Sequence, residues 1–265
     1  MKNIFKKLAI VSMVAISTFG AIGCSKESKK DDNINAEKRE EVIVGLDNTF
    51  VPMGFLDENG EIVGFDVDLA KEVFKRLDMN VKFQPIDWAM KETELNSGNI
   101  DAIWNGYSLS EERKKIVSYT EPYLENKQVI VTMKDSNIKN KTDLKGKKLG
   151  TQQGSTALDA IEKEVDVVKS LDKGAPILYD TYDNAIRDLE VGRTDAIVSD
   201  EILVRYYISK KGEEKYNILE DNFGEESYVV AFKKDNTQLR DKVNNTLKEM
   251  KNDGTFDEIY SKWFK

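Results

Sequence analysis

The sequence predicts an α/β fold of two similar lobes joined by a two-strand hinge, and three features carry that prediction. From Val42 onward, short β-branched or apolar runs alternate with segments of helical periodicity through short connections, the pattern of α/β sheets with mostly parallel strands. The stretch Gly98-Asn99-Ile100-Asp101-Ala102-Ile103 returns as Gly192-Arg193-Thr194-Asp195-Ala196-Ile197, which argues for two related units instead of one large sheet. Two further apolar runs, 128–133 and 226–232, stand where the chain would leave the first unit and return to it. On this reading residues 42–132 with 227–265 form lobe one, and 133–226 form lobe two.

The elements follow in order. Residues 42–46 are a β-branched strand that ends in the loop from Asp47 to Pro52, and Asp57-Glu58-Asn59-Gly60 is a turn. Residues 66–77 have an amphipathic helical stripe of Ala70, Val73, Phe74 and Leu77. A strand at 81–86 and a short helix at 88–95 come next, the helix closed by Ser97-Gly98. At 101–104 an apolar strand runs into Asn105-Gly106, expected to break it, and Ser108 with Glu111 three residues on reads as a capping box for the helix that carries Arg113. The second unit repeats the device. A strand from Lys148 leads to Gln152-Gln153-Gly154-Ser155-Thr156 and a helix over 157–163, with another amphipathic helix at 183–191. The strand 196–198 then delivers Ser199 and Asp200, a carboxylate where the first copy has Asn105 and Gly106. Leu239, Val243, Leu247 and Met250, then Phe256, Ile259, Tyr260, Trp263 and Phe264, form two apolar helical stripes assigned to packing on lobe one.

Two helix starts with hydroxyls and glycine, one beside an arginine, point to an anion. Free N–H groups and the helix dipole attract negative charge, and a guanidinium fork recognises a carboxylate bidentately. Taken alone, the first of them equally describes a capped surface helix with a solvated arginine; its repetition favours a ligand site. In open α/β sheets such sites lie beyond the carboxyl ends of the strands.

Composition narrows the chemistry. The 265 residues carry a net charge of −8 with a third of them charged, which argues against a nucleic-acid partner. There is no histidine and a single cysteine, Cys24, so histidine-assisted nucleophiles, histidine-rich zinc sites, cysteine metal clusters and disulfides are all excluded. No metal, cofactor or catalytic residue is expected.

The first residues read as an export signal: Lys2, Lys6 and Lys7, then an uncharged apolar run over 8–22, too short for a comfortable membrane span. With small residues before Cys24, residues 1–23 resemble a lipoprotein signal peptide whose cysteine is acylated, palmitate included, and becomes the mature N-terminus. An ordinary cleaved signal with an incidental cysteine is the alternative, and Ala21 departs from the usual leucine. Residues 24–41 are nearly all polar and read as a flexible tether. The protein is therefore expected at the cell membrane, lipid-anchored on its extracytoplasmic face.

Six ordered motifs, VGLDNTFVPMGF, GEIVGFDVDLAKEV, IDAIWNGYSLSEERKKIVSYTEPY, DLKGKKLGTQQGST, VGRTDAIVSDE and MKNDGTFDEIYSKWF, resemble the polar amino-acid solute-binding proteins of ABC importers. The resemblance implies a class II periplasmic-binding-protein-like fold, an L-amino acid ligand, ABC permease subunits as partners and a monomer. It implies that Arg113 clamps the α-carboxylate with Ser108, Ser155 and Thr156, and that Asp200 takes the α-ammonium with the Gly106 carbonyl. Phe50 and Trp88 would sandwich the ligand side chain, while Asp47 and Gln152 sit near its far end. Asn105-Gly106 stands where basic-amino-acid binders often carry two serines, and Ala157 replaces a polar residue, so cationic, glutamine-like, cystine and other neutral ligands all stay open. The rival readings are a dehydratase of the same fold acting on prephenate-like acids, and a sensor subunit.

Overall fold

The computed structural model describes residues 41–265. The export signal, the lipidation site Cys24 and the tether through residue 40 lie outside the described residues. Glu41, expected in the tether, instead opens the first strand.

The chain runs β1 (Glu41–Leu46), β2 (Thr49–Phe50), β3 (Gly54–Leu56), β4 (Ile62–Val63), α1 (Phe65–Arg76), β5 (Asn80–Pro85), a 3-10 turn at Trp88–Met90, α2 (Lys91–Ser97), β6 (Ala102–Ser108), α3 (Glu111–Ile116), β7 (Val117–Tyr119) and β8 (Leu124–Met133). It continues with β9 (Leu149–Gln152), α4 (Thr156–Lys163), α5 (Val165–Ser170), β10 (Ile177–Tyr179), α6 (Tyr182–Glu190), β11 (Ala196–Asp200), α7 (Glu201–Lys211), β12 (Tyr216–Lys233), α8 (Thr237–Asp253) and α9 (Thr255–Phe264). This is the two-lobe class II arrangement. β1 lies parallel between β5 and β6 in the first lobe, and β9 parallel between β10 and β11 in the second.

The expectation of two separate sheets is corrected. One hydrogen-bonded path runs β10-β9-β11-β8-β12-β6-β1-β5 with β7 on β12, and β2-β3-β4 form a small sheet of their own. The reason lies in the hinge strands. β12 is 18 residues long, pairs antiparallel with β8, and also borders β6 and β7, while β8 borders β11. The apolar run 226–232 marks only its second half, because the first half, YNILEDNFGE, is too polar to read as a buried strand.

β6 is buried at every position, as a central strand covered on both faces must be. It does not stop at Gly106, as the sequence suggested. Gly106 takes φ +59 inside the strand, and the pairing with β12 jumps from Ile103↔Ala231 to Tyr107↔Val229, so three residues of β6 face one of β12. The glycine therefore makes a bulge, which bends the strand and re-aims the residues after it. Asp66, in the first turn of α1, holds the bulge by accepting from the Gly106 N–H at 2.8 Å and from the Tyr123 hydroxyl at 2.8 Å.

The terminal helices pack on the first lobe. Phe65 meets Phe256, Tyr260 and Phe264 edge-on, with centroids 5.1–6.0 Å apart. α1 enters this core through Gly64, whose φ is +146 and where a Cβ would lie 2.3 Å from the Met53 carbonyl oxygen. Backbone cannot give way as a side-chain end can. Gly64→Ala is therefore expected to cost about 3–5 kcal/mol, read as a lowered urea midpoint with an unchanged slope.

Candidate functional site

The carboxyl ends of β6, β9 and β11 converge on a small cavity. Phe50, Trp88, Gly106, Ser108, Arg113, Gln152, Ser155, Thr156 and Asp200, all singled out from the sequence, line it together with Tyr182.

One pole is cationic. The β6 bulge places Ser108 at the end of the strand, so the cap of α3 is not Ser108 but Ser110, whose hydroxyl accepts the Arg113 N–H at 3.2 Å. The two residues Leu109 and Ser110 are needed to turn from strand to helix. Freed from capping, Ser108 lines the cavity, and its carbonyl accepts from Arg113 Nη1 at 2.8 Å. Arg113 also donates to the Gly154 carbonyl at 3.1 Å and stacks 4.4 Å from the centre of the Tyr107 ring. Its fork is thus held in one plane before any ligand arrives. Opposite it, Ser155 caps α4, accepting from the Leu158 N–H at 3.2 Å and donating to the Gln152 carbonyl at 2.7 Å. Thr156 donates its hydroxyl proton to Glu226 at 2.8 Å.

The other pole is a carboxylate. Asp200 ends β11, and its Oδ1 accepts from Asn126 Nδ2 at 2.6 Å and from the Tyr228 hydroxyl at 2.7 Å. Burial, and secondly the Glu226 charge, push its carboxyl up to about 7. An ammonium at this pole would oppose both effects.

Two predicted residues are not in the wall. Asp47 is buried behind it, with Oδ1 accepting from the Thr49 N–H and hydroxyl at 2.9 and 2.7 Å and Oδ2 from Gln152 Nε2 at 2.8 Å. Burial raises its carboxyl and these bonds lower it, burial being the larger effect. Asn105 also lies behind the wall, where its Oδ1 accepts the Asp47 N–H at 3.0 Å. Both therefore act on the cavity through neighbours: Asp47 and the Asp180 carbonyl take both Nε2 protons of Gln152 and set the direction of its amide.

Sequence reasoning missed Tyr182, Asn126, Tyr228 and Glu226. Tyr182 follows the Thr181 cap of α6, a strand-cap-helix step like those that revealed the other sites. Its ring faces Phe50 at 6.0 Å, and its buried hydroxyl has no hydrogen-bond partner among the described residues. The other three lie on the hinge strands β8 and β12, where nothing local separates a ligand-pole residue from a ladder residue. The arrangement as a whole can bind a small zwitterion, with aromatic faces for its side chain.

The chain has relatives among known proteins and solved structures. The model of the family described as bacterial extracellular solute-binding proteins, family 3, matches residues 42–265. The chain is 32% identical to the ABC transporter glutamine-binding protein GlnH of Bacillus subtilis (strain 168), covering 100% of this chain and 98% of that one. Among solved structures it resembles an ABC uptake transporter substrate binding protein from Streptococcus pneumoniae with bound histidine, at 37% identity and TM-score 0.84 over 86% of this chain and 94% of that one. It also resembles the ancestral amino acid-binding protein AncCDT-1, a precursor of cyclohexadienyl dehydratase, at 34% identity and TM-score 0.77 over 87% and 98% of the two chains.

Proposed function

This chain belongs to the bacterial extracellular solute-binding proteins, family 3, and from that premise we propose that it is the substrate-binding protein of an ABC importer, holding a polar L-amino acid between two closing lobes and handing it to a membrane permease. One observation carries the reading: a buried guanidinium and a buried carboxylate, Arg113 and Asp200, line a single cavity. A zwitterion taken out of water needs both of its charges paired, because an unpaired buried charge costs several kcal/mol. Arg113, with Ser108 and the α4 start at Ser155 and Thr156, takes the α-carboxylate. Asp200 and the Gly106 carbonyl take the ammonium, and Phe50, Trp88 and Tyr182 enclose the side chain.

The lobes in this reading are residues 42–132 with 227–265, and 133–226. Contacts between them already span the cleft, among them Gln152 to Asp47 and Arg113 to Gly154. Ligand that touches both lobes stabilises the closed form over the open one, and this differential contact drives closure. Acylation of Cys24, anchoring to the outer face of the membrane and action as a monomer complete the proposal, all on the sequence pattern. The protein is a binder and not an enzyme in this reading.

Thermal shift of the refolded 25–265 fragment against the twenty amino acids, cystine and ornithine tests it. At a hundredfold excess over Kd a ligand adds about 2.7 kcal/mol, a rise of roughly 5–10 °C for a chain of this size. One or a few L-amino acids are expected to give that rise. No shift across the panel, together with turnover of prephenate or arogenate, would replace the binder by the dehydratase.

A further inference from the structure

Tyr182 carries a hydroxyl that the folded chain does not use. The residue opens α6 behind the Thr181 cap, lines the cavity and is 1% exposed, with its ring facing Phe50 at 6.0 Å. Its buried hydroxyl has no hydrogen-bond partner among the described residues. A buried polar group left without a partner is costly, and this one stands at a wall built to receive a guest.

The surroundings decide what the guest must offer. The Asp200 charge acts on the hydroxyl, and the Ser155 and Thr151 hydroxyls lie beside it. None of the three has a proton to give. Ser155 donates its own to the Gln152 carbonyl at 2.7 Å, Thr151 donates to the Val198 carbonyl at 3.0 Å, and an ionised carboxylate only accepts. Burial, and then the Asp200 charge, push the Tyr182 hydroxyl well above the ordinary tyrosine range, so it stays neutral. Asp200 and Ser155 both line the cavity, which sets the hydroxyl between the ammonium pole and the start of α4. A ligand oxygen could take its single proton, as its neighbours already can. Only a donor fills its lone pairs.

We infer that the Tyr182 hydroxyl is the third acceptor of the ligand's α-ammonium, an assignment that rests on the amino-acid reading. An ammonium brings three N–H donors and no acceptor, and that reading gives it two partners, Asp200 and the Gly106 carbonyl. The third proton meets the one cavity-wall residue whose buried hydroxyl is unpartnered among the described residues. The ring still walls the ligand side chain beside Phe50, so one residue serves both parts of the site. An α-hydroxy acid of the same skeleton has a single proton, which Asp200 takes, and gains nothing from a further acceptor.

Tyr182→Phe removes the hydroxyl and keeps the ring. The probes are L-glutamine, L-histidine, L-arginine and whichever member of the thermal-shift panel shifts wild type most, each measured by calorimetry against its α-hydroxy acid. Affinity for the amino acids is expected to fall ten- to a hundredfold, the effect of losing a hydrogen bond to a charged group, and to a similar extent whatever the side chain. Affinity for the hydroxy acids should change little, so the preference for amine over hydroxyl drops at least tenfold. A hydroxyl that serves only the fold would not move this preference. The empty variant should melt at or above the wild-type temperature, because the hydroxyl has no partner there. An unchanged preference, or a loss confined to one side chain, overturns the inference while the amino-acid reading stands. Failure to refold, or a midpoint several degrees lower, gives the hydroxyl to the fold and overturns it as well. If no amino acid binds wild type, the functional reading falls first and takes the inference with it.

Discussion

Arg113→Ala is expected to weaken amino-acid binding by roughly a hundred- to a thousandfold, the consequence of leaving one partner of a buried charge pair alone. The size follows from the preparation of the side chain. Arg113 is 5% exposed, its fork is held by the Ser108 and Gly154 carbonyls, and its face lies on Tyr107. The wild-type protein therefore spends little entropy to present two parallel donors, and the mutant would enclose a carboxylate with no counter-charge of its own. Arg113→Lys should recover part of the loss, since a point charge remains but the planar fork does not. Calorimetry on the refolded proteins is the measurement. Wild-type affinity in the alanine variant would show that the carboxylate is bound elsewhere.

The second large effect belongs to Asp200 and is a dependence on pH. Burial, and secondly the Glu226 charge, raise its carboxyl to about 7, and the Tyr228 hydroxyl donates to it. A bound ammonium lowers it again, so below about pH 7 a proton must leave before the ligand pairs. Affinity should fall by up to tenfold per unit as pH drops from 7 toward 5. The chain has no histidine to confuse that window. Asp200→Asn should abolish the slope and lose on the order of a hundredfold at pH 8. The stability of the empty protein runs the other way. Because the folded carboxyl sits above its unfolded value near 4, its contribution is greatest below pH 4 and is lost as pH rises through 7. Asp66, also raised to about 7 by burial, adds to the same trend. Urea midpoints without ligand should thus decline between pH 5 and 8, and a saturating amino acid should reduce or reverse the decline.

Much of this site could be read before the fold was known, and the misreadings are instructive. Ser108 was expected to cap α3, yet Ser110 does so. Ser-Leu-Ser places two hydroxyls within one turn of the helix start, and only the course of β6 after its bulge decides between them. Gly106 was expected to end a strand, because glycine at positive φ marks a turn as often as a bulge. The resemblance implies that Asp47 and Gln152 sit near the far end of the ligand side chain. The structure pairs them with each other across the cleft at 2.8 Å, so that Gln152 lines the cavity and Asp47 stands behind it.

What the sequence determined by itself is the local part: the alternation of strand and helix, the helix start at Ser155 and Thr156, the glycine closing α2, and the charged residues Arg113 and Asp200 that follow the repeated motifs. These signals are carried within a few residues, through side-chain periodicity, capping hydroxyls and glycine dihedrals. Tertiary structure alone decided the pairings between distant positions. It joined the two lobes into one sheet through an 18-residue hinge strand, brought Asn126 to Asp200 across 74 residues, and set Lys91 and Arg113 on one carbonyl of the opposite lobe. No periodicity records such encounters, because each depends on where two separately folded surfaces meet.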